Sequence, residues 1–220
     1  MTAQAQLVRL LQMAYSAELA AAYAYRGHWN SVSDKDERER IHQIEDEELH
    51  HRRLVGDMLA KLNAGPKRSR ELRASLIGKT LGYLCHVTGW LAPMYGAGRL
   101  ESRNIREYET AARYARSANH EQFVDCLLTM AEVEWEHEKY FRSRVLVHRF
   151  AAFVPLWPAP LPKESIRASF ANSMPETDGI ERVEAPLRPV IISQHTSNPA
   201  DRYPRFRHAI HHESGTSSPR

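Results

Sequence analysis

Apolar side chains recur along residues 3 to 30 at alternating steps of four and three: Leu7, Leu11, Ala14, then Glu18, Ala21, Tyr25 and His28. That period places all seven on one face and predicts a first helix. A second stripe, Ile41, Ile44, Glu48, His51, Val55, Met58 and Leu62, predicts another helix. It is expected to start at a Ser33/Asp36 capping pair and stop at Gly65-Pro66. Residues 70–91 form an apolar, glycine-rich segment, which Pro93 interrupts. A third stripe follows from Met94, with Ala97, Glu101, Asn104, Tyr108, Ala111, Ala115 and Ala118 in register. The last stripe reads Phe123, Leu127, Met130, Glu134, His137 and Phe141. It predicts a helix from about His120 to Phe150, capped by Asn119 with Gln122 three residues on.

Each stripe thus carries an acid on its apolar face, and two of them add a histidine three residues later. A carboxylate in a helical core costs several kcal/mol to desolvate unless a counter-charge is present. No lysine or arginine lies on the stripes near these positions, which argues against a metal-free salt-bridge network. Two divalent cations would neutralise four carboxylates, so Glu18, Glu48, His51, Glu101, Glu134 and His137 are the expected ligands of a dinuclear centre in an all-α four-helix bundle. Hard oxygen donors with one imidazole per metal suit iron or manganese better than zinc, and redox work favours two iron ions.

Register separates ligands from decoys. Glu47 and His50 repeat the Glu-x-x-His spacing one residue earlier, a rotation of about 100° that turns them to the flank. In the third ligand helix Glu101 is inside, Glu109 far outside and Glu107 near the edge, the runner-up. Glu132, Glu136 and Glu138 are expected on a solvated face.

Beyond Phe150 the pattern vanishes. Ten of the twelve prolines lie there, beginning with PLWPAPLP, and the expectation is two regions: a di-metal bundle over 1–150 and a disordered or loosely docked tail over 151–220. Its four histidines, His195, His208, His211 and His212, read as solvated rather than metal-binding. At 42% apolar and 26% charged residues the chain has the composition of an ordinary globular domain, and a net charge of +3 gives no reason to expect nucleic acid. Two cysteines imply no disulfide framework, and the N-terminus lacks a secretory pattern, so a cytoplasmic location is expected.

These residues resemble the demethoxyubiquinone hydroxylase family of ferritin-like di-iron proteins over roughly residues 5 to 148. In the first helix the run ELAAAYAYRGH matches at Glu18, Ala21, Tyr25 and Gly27, with His28 where the family has glutamine. The run GKTLGYLCHVTGWL from Gly78, leading through Gly96 to Leu100-Glu101, is similar to the family's apolar hairpin. Tyr108 falls where a His-Tyr pair follows the third ligand, here Glu107-Tyr108. The resemblance implies the same six ligands, O₂ as co-substrate and a lipophilic quinone-type substrate. The ending MAEVEWEHEKY also resembles rubrerythrins, although Asn104 stands where those have a second glutamate.

Tyr25, Tyr108 and His28 are expected to support the ligands, either in catalysis or as packed, hydrogen-bonded core residues. The apolar stretch Leu76 to Met94 contains Lys79 and His86, so it reads as core or as a surface that docks on a membrane rather than a span. Three functions stand open: a quinone monooxygenase, a peroxide or iron handler, and a metal-bearing regulator without turnover. Oligomeric state is left open.

Overall fold

The computed structural model describes residues 1–172, and these are helical with short connections. α1 spans Ala3–Ser31, α2 Lys35–Lys61, α3 Arg68–Cys85, α4 Leu91–Ser117, α5 Val124–Leu146 and α6 Glu164–Asn172. Four of them, α1, α2, α4 and α5, form the expected all-α bundle, and α3 is the additional helix between the second and third ligand helices. Within the bundle the pairs α1/α2 and α4/α5 make the closest associations, and α3 packs on α1 as extensively as α2 does. A three-residue connection makes the first pair antiparallel. No helix among the described residues is long and apolar enough to cross a membrane.

Helix boundaries follow the backbone's unpaired groups. Thr2 caps α1, accepting from Ala5 N at 3.3 Å. Asp34, not Ser33, caps α2, and its carboxylate accepts from Glu37 N at 2.9 Å. Two helices end in asparagines with positive φ, Asn63 at 52° and Asn119 at 60°. Each closes a Schellman motif, with Ala64 N donating to Leu59 O and His120 N to Ala115 O. The helix α2 therefore stops before Gly65-Pro66. Asn119 terminates α4 rather than capping α5, which begins at Val124 after a 3₁₀ turn over Glu121–Phe123. Asparagine serves both ends of helices, and only the connection decides which.

The bundle holds two apolar clusters. One collects Leu7, Leu11, Val55, Met58, Leu127 and Met130 with their neighbours, the other Ile41, Ile44, Met94, Phe141 and Val145. The acids and histidines of the four stripes lie between them. Outside the bundle α3 leans on α1, where Cβ atoms on Gly78 or Gly82 would collide with the backbone at Ala20 and Tyr23. Only Ala74, Gly78 and Gly82 of α3 are buried, so its apolar residues Leu72, Leu76, Ile77 and Tyr83 stay exposed.

The expected boundary at residue 150 falls too early. Trp157, Ile166 and Phe170 are buried against the bundle. Trp157 Nε1 donates to Glu138 at 2.7 Å, and Arg167 of α6 binds Glu132 and Asp125 of α5. Lack of helical period in PLWPAPLP removed the sequence signal, yet one buried aromatic, Trp157, docks a segment whose other residues stay largely exposed. Residues 173–220, with His195, His208, His211 and His212, lie outside the described residues.

Candidate metal centre

One turn of each bundle helix contributes to a single polar layer. α1 supplies Glu18, α2 Glu48 and His51, α4 Glu101 and α5 Glu134 and His137, and all six are at most 3% exposed. Two overlapping groups arise. Glu18, Glu48, His51 and Glu134 offer ligand atoms within 4.8 Å of one another, and so do Glu48, Glu101, Glu134 and His137. Either group could hold a metal ion. Glu48 and Glu134 belong to both, which makes them the shared pair, while Glu18/His51 and Glu101/His137 are terminal.

The histidines are turned inward. His51 Nδ1 lies 3.0 Å from Glu134 Oε1, and His137 Nδ1 lies 3.3 Å from Glu48 Oε1 and 3.7 Å from Glu134 Oε2. Asn104 Nδ2 donates to Glu101 at 3.0 Å and reaches Glu134 at 3.5 Å. Tyr108 donates to Glu18 and Tyr25 to Glu101, so each terminal carboxylate carries one phenol.

Several donors in the layer have nothing to bind. Glu18 Oε2, both oxygens of Glu48 and His137 Nδ1 are buried without a hydrogen-bond partner. A buried acceptor left unpaired costs on the order of 1–3 kcal/mol, more when charged, and a cation held among these four atoms would relieve that cost. The donor set fits two divalent ions by charge, ligand type and orphaned atoms together.

The electrostatics without metal show the strain. Burial pushes the carboxyls of Glu18, Glu48 and Glu101 above their usual range, and the Glu134 carboxylate adds to the rise in all three. Burial acts on Glu134 in the same direction, but its neighbours Glu101, His137 and His51 outweigh it and hold Glu134 well below the usual range. Burial opposes charge on His51 and His137 too, yet the neighbouring Glu134 carboxylate raises both.

All six expected ligands are brought together, and the decoys separate as the register required, with one correction. His50 is exposed, and Glu107 turns out to bind Arg103. Glu47 is not a ligand, but neither is it an idle flank: its Oε2 accepts from His137 Nε2 at 2.6 Å and Arg40 holds it from behind. Such an outer carboxylate fixes which imidazole nitrogen faces the metal. Glu138 is a second correction. It is 1% exposed and binds Arg142 and Trp157 rather than solvent. Its partner Arg142, one turn later, was the available signal.

His28 lies beyond the layer. It packs beside the stacked pair Tyr25 and Phe141, with ring centroids 6.5 and 5.9 Å away, and its Nε2 has no hydrogen-bond partner. Burial pushes it down to about 4, so it is a neutral base at pH 7.

No family model matches this chain, and neither a curated protein nor a solved structure shows significant similarity to it. The reading of the site rests on its own geometry.

Proposed function

We propose that the protein is a di-iron oxidoreductase that uses O₂ to hydroxylate a lipophilic quinone-type aromatic. The observation that carries this reading is the pair of overlapping donor groups, Glu18/Glu48/His51/Glu134 and Glu48/Glu101/Glu134/His137, with unpaired oxygens between them. Manganese would satisfy the same donors; iron is preferred because O₂ chemistry requires a redox-active ion. Two ferrous ions in such a set would supply the electrons that activate O₂. The residues of the chain do the rest. Tyr25 and Tyr108 orient the terminal carboxylates, Asn104 ties Glu101 to Glu134, Glu47 sets the His137 ring, and the apolar clusters on either side exclude water.

A second reading, a peroxide or iron handler, is favoured by one dimension. The cavity that touches Glu18 and Tyr108, between α1 and α4, has room of only about 10 Å³, enough for a water-sized molecule and not for a ring. Hydroxylation therefore requires α1 and α4 to part along the small residues Ala14, Ala17 and Ala111. O₂ or peroxide needs no such movement.

The test is to load the protein anaerobically with Fe(II), add a demethoxyubiquinol-type substrate and O₂, and analyse products by mass. A product heavier by one oxygen, absent with Glu134→Ala, is expected. Peroxide consumption with no oxygenated product would transfer the assignment to the second reading. Metal binding with neither activity would leave a non-catalytic regulator.

A further inference from the structure

On the outer side of α4 a groove of about 900 Å³ opens between that helix and the extended segment 155–162. Its two walls differ in chemistry. The helix wall carries Arg99, Arg103 and Arg106, spaced four and three residues apart and all exposed. Along about 10 Å of helix that spacing lines up three guanidinium groups on one face. Arg103 binds Glu107 at 2.7 Å, whereas Arg99 and Arg106 make no ion pair among the described residues. Glu109 is the acid among the residues lining the groove, so the lining is cationic by two charges.

The opposite wall is apolar and held in place. Pro155, Leu156, Pro158, Pro160 and Leu161 line it, and Trp135 closes the floor. Four of its carbonyls are already engaged: Tyr95 donates to Pro155 O at 2.6 Å, Arg142 to Trp157 O and Pro158 O, and Trp135 Nε1 to Leu161 O at 2.8 Å. Its prolines have no N–H to give. A peptide strand laid in this groove would therefore find much of the main-chain pairing, the usual source of affinity for an extended peptide, already taken. Gly98 is what lets the arch sit so close, since a Cβ there would overlap the Trp157 ring.

We propose that this groove binds a single-chain amphiphilic anion, such as a fatty acid, with the anionic head between neighbouring arginines of α4 and the apolar chain along the Pro155–Leu161 arch. The volume lies in the range of small-molecule sites and exceeds a single ring. Planar guanidinium forks bind carboxylate or phosphate in two-point fashion, and the apolar wall takes the part of the ligand that water rejects. The groove lies outside the metal layer, so the inference stands or falls independently of the oxidoreductase reading.

Dodecanoate is the probe, titrated below its micellar concentration into the full chain and followed by calorimetry. Quenching of Trp135 and Trp157 by 12-bromododecanoate reports the location. One saturable site is expected, with dodecyltrimethylammonium failing to compete. Arg99→Glu/Arg103→Glu should weaken binding at least tenfold while leaving helicity and bound metal unchanged. Leu161→Asp, on an exposed arch position, should do the same without touching α4. Absence of saturable binding, equal binding of the cationic amphiphile, or unchanged affinity in both variants would overturn the site. Binding to phosphatidylglycerol vesicles without binding of free dodecanoate would overturn it too, and would make the face a bilayer contact.

Discussion

The two halves of the polar layer are built alike and supported differently. In each, a terminal glutamate accepts from a tyrosine, Glu18 from Tyr108 and Glu101 from Tyr25, and a histidine presents Nδ1 to the shared pair. Behind the histidines the likeness ends. His137 is anchored through Nε2 by Glu47 and Arg40, whereas no carboxylate outside the layer binds His51 among the described residues. The inner shell is therefore set by charge neutrality and the outer shell by whatever flank the helix register leaves nearby. Two metals in this protein should be interdependent through Glu48 and Glu134 yet unequal in affinity.

The largest expected effect comes from the shared pair. Glu48→Ala or Glu134→Ala should take bound metal from two ions per chain to almost none, while Glu18→Ala or Glu101→Ala leaves about one. Elemental analysis of chelator-free protein reads this directly, and equal losses from all four variants would abolish the distinction between shared and terminal carboxylates.

Acidity separates the metal-free and loaded states. Glu18, Glu48 and Glu101 have folded pKa values above the ordinary 4.5, so their contribution to the metal-free fold is complete below that pH and is lost as pH rises through the folded values. The raised His51 and His137 act in the same direction from 6.5 upward. Glu134, depressed, acts oppositely, and its contribution is lost only as pH falls below 4.5. Metal-free protein should melt at progressively lower temperature from pH 5 to pH 8, and metal-loaded protein should not, because the cations replace the protons. Parallel melting curves with and without chelator would contradict a site filled by metal.

Smaller effects resolve the halves. Glu47→Gln should weaken the His137 position by roughly 10- to 100-fold and leave the His51 position unchanged, the range for outer partners of metal-bound histidines. A competition titration with a chromophoric chelator would show one step moving and one holding; movement of both would mean the halves are not separable. Least of all, Tyr25→Phe and Tyr108→Phe each remove one hydrogen bond of about 1 kcal/mol. Each should cost its own position roughly fivefold in the same titration, and an effect confined to one tyrosine would break the likeness of the two inner shells.

The convergence of the six acids and histidines, the four bundle helices and the exposure of His50 were legible in the chain because burial imposes a period on every residue of a helix. An acid on an apolar stripe is visible for the same reason a leucine is. Glu47 shows where that legibility stops. Its rotation off the stripe was correct, but whether a flank residue meets solvent or a neighbouring helix depends on how α2 sits against α5, which no spacing within α2 encodes. Glu138 and Trp157 make the same point at longer range, since the burial of each depends on the other across an aperiodic segment.

The pattern along the chain alone thus determined which side chains must share an interior and that this interior would gather carboxylates and imidazoles able to hold a metal ion. Tertiary structure alone decided that Glu48 and Glu134 stand between two groups, that Glu47 backs one histidine and not the other, and that segment 155–162 arches over α4. Periodicity is a property of one helix at a time, whereas pairing across helices depends on their separation and stagger, and those are fixed only when all of the stripes pack together.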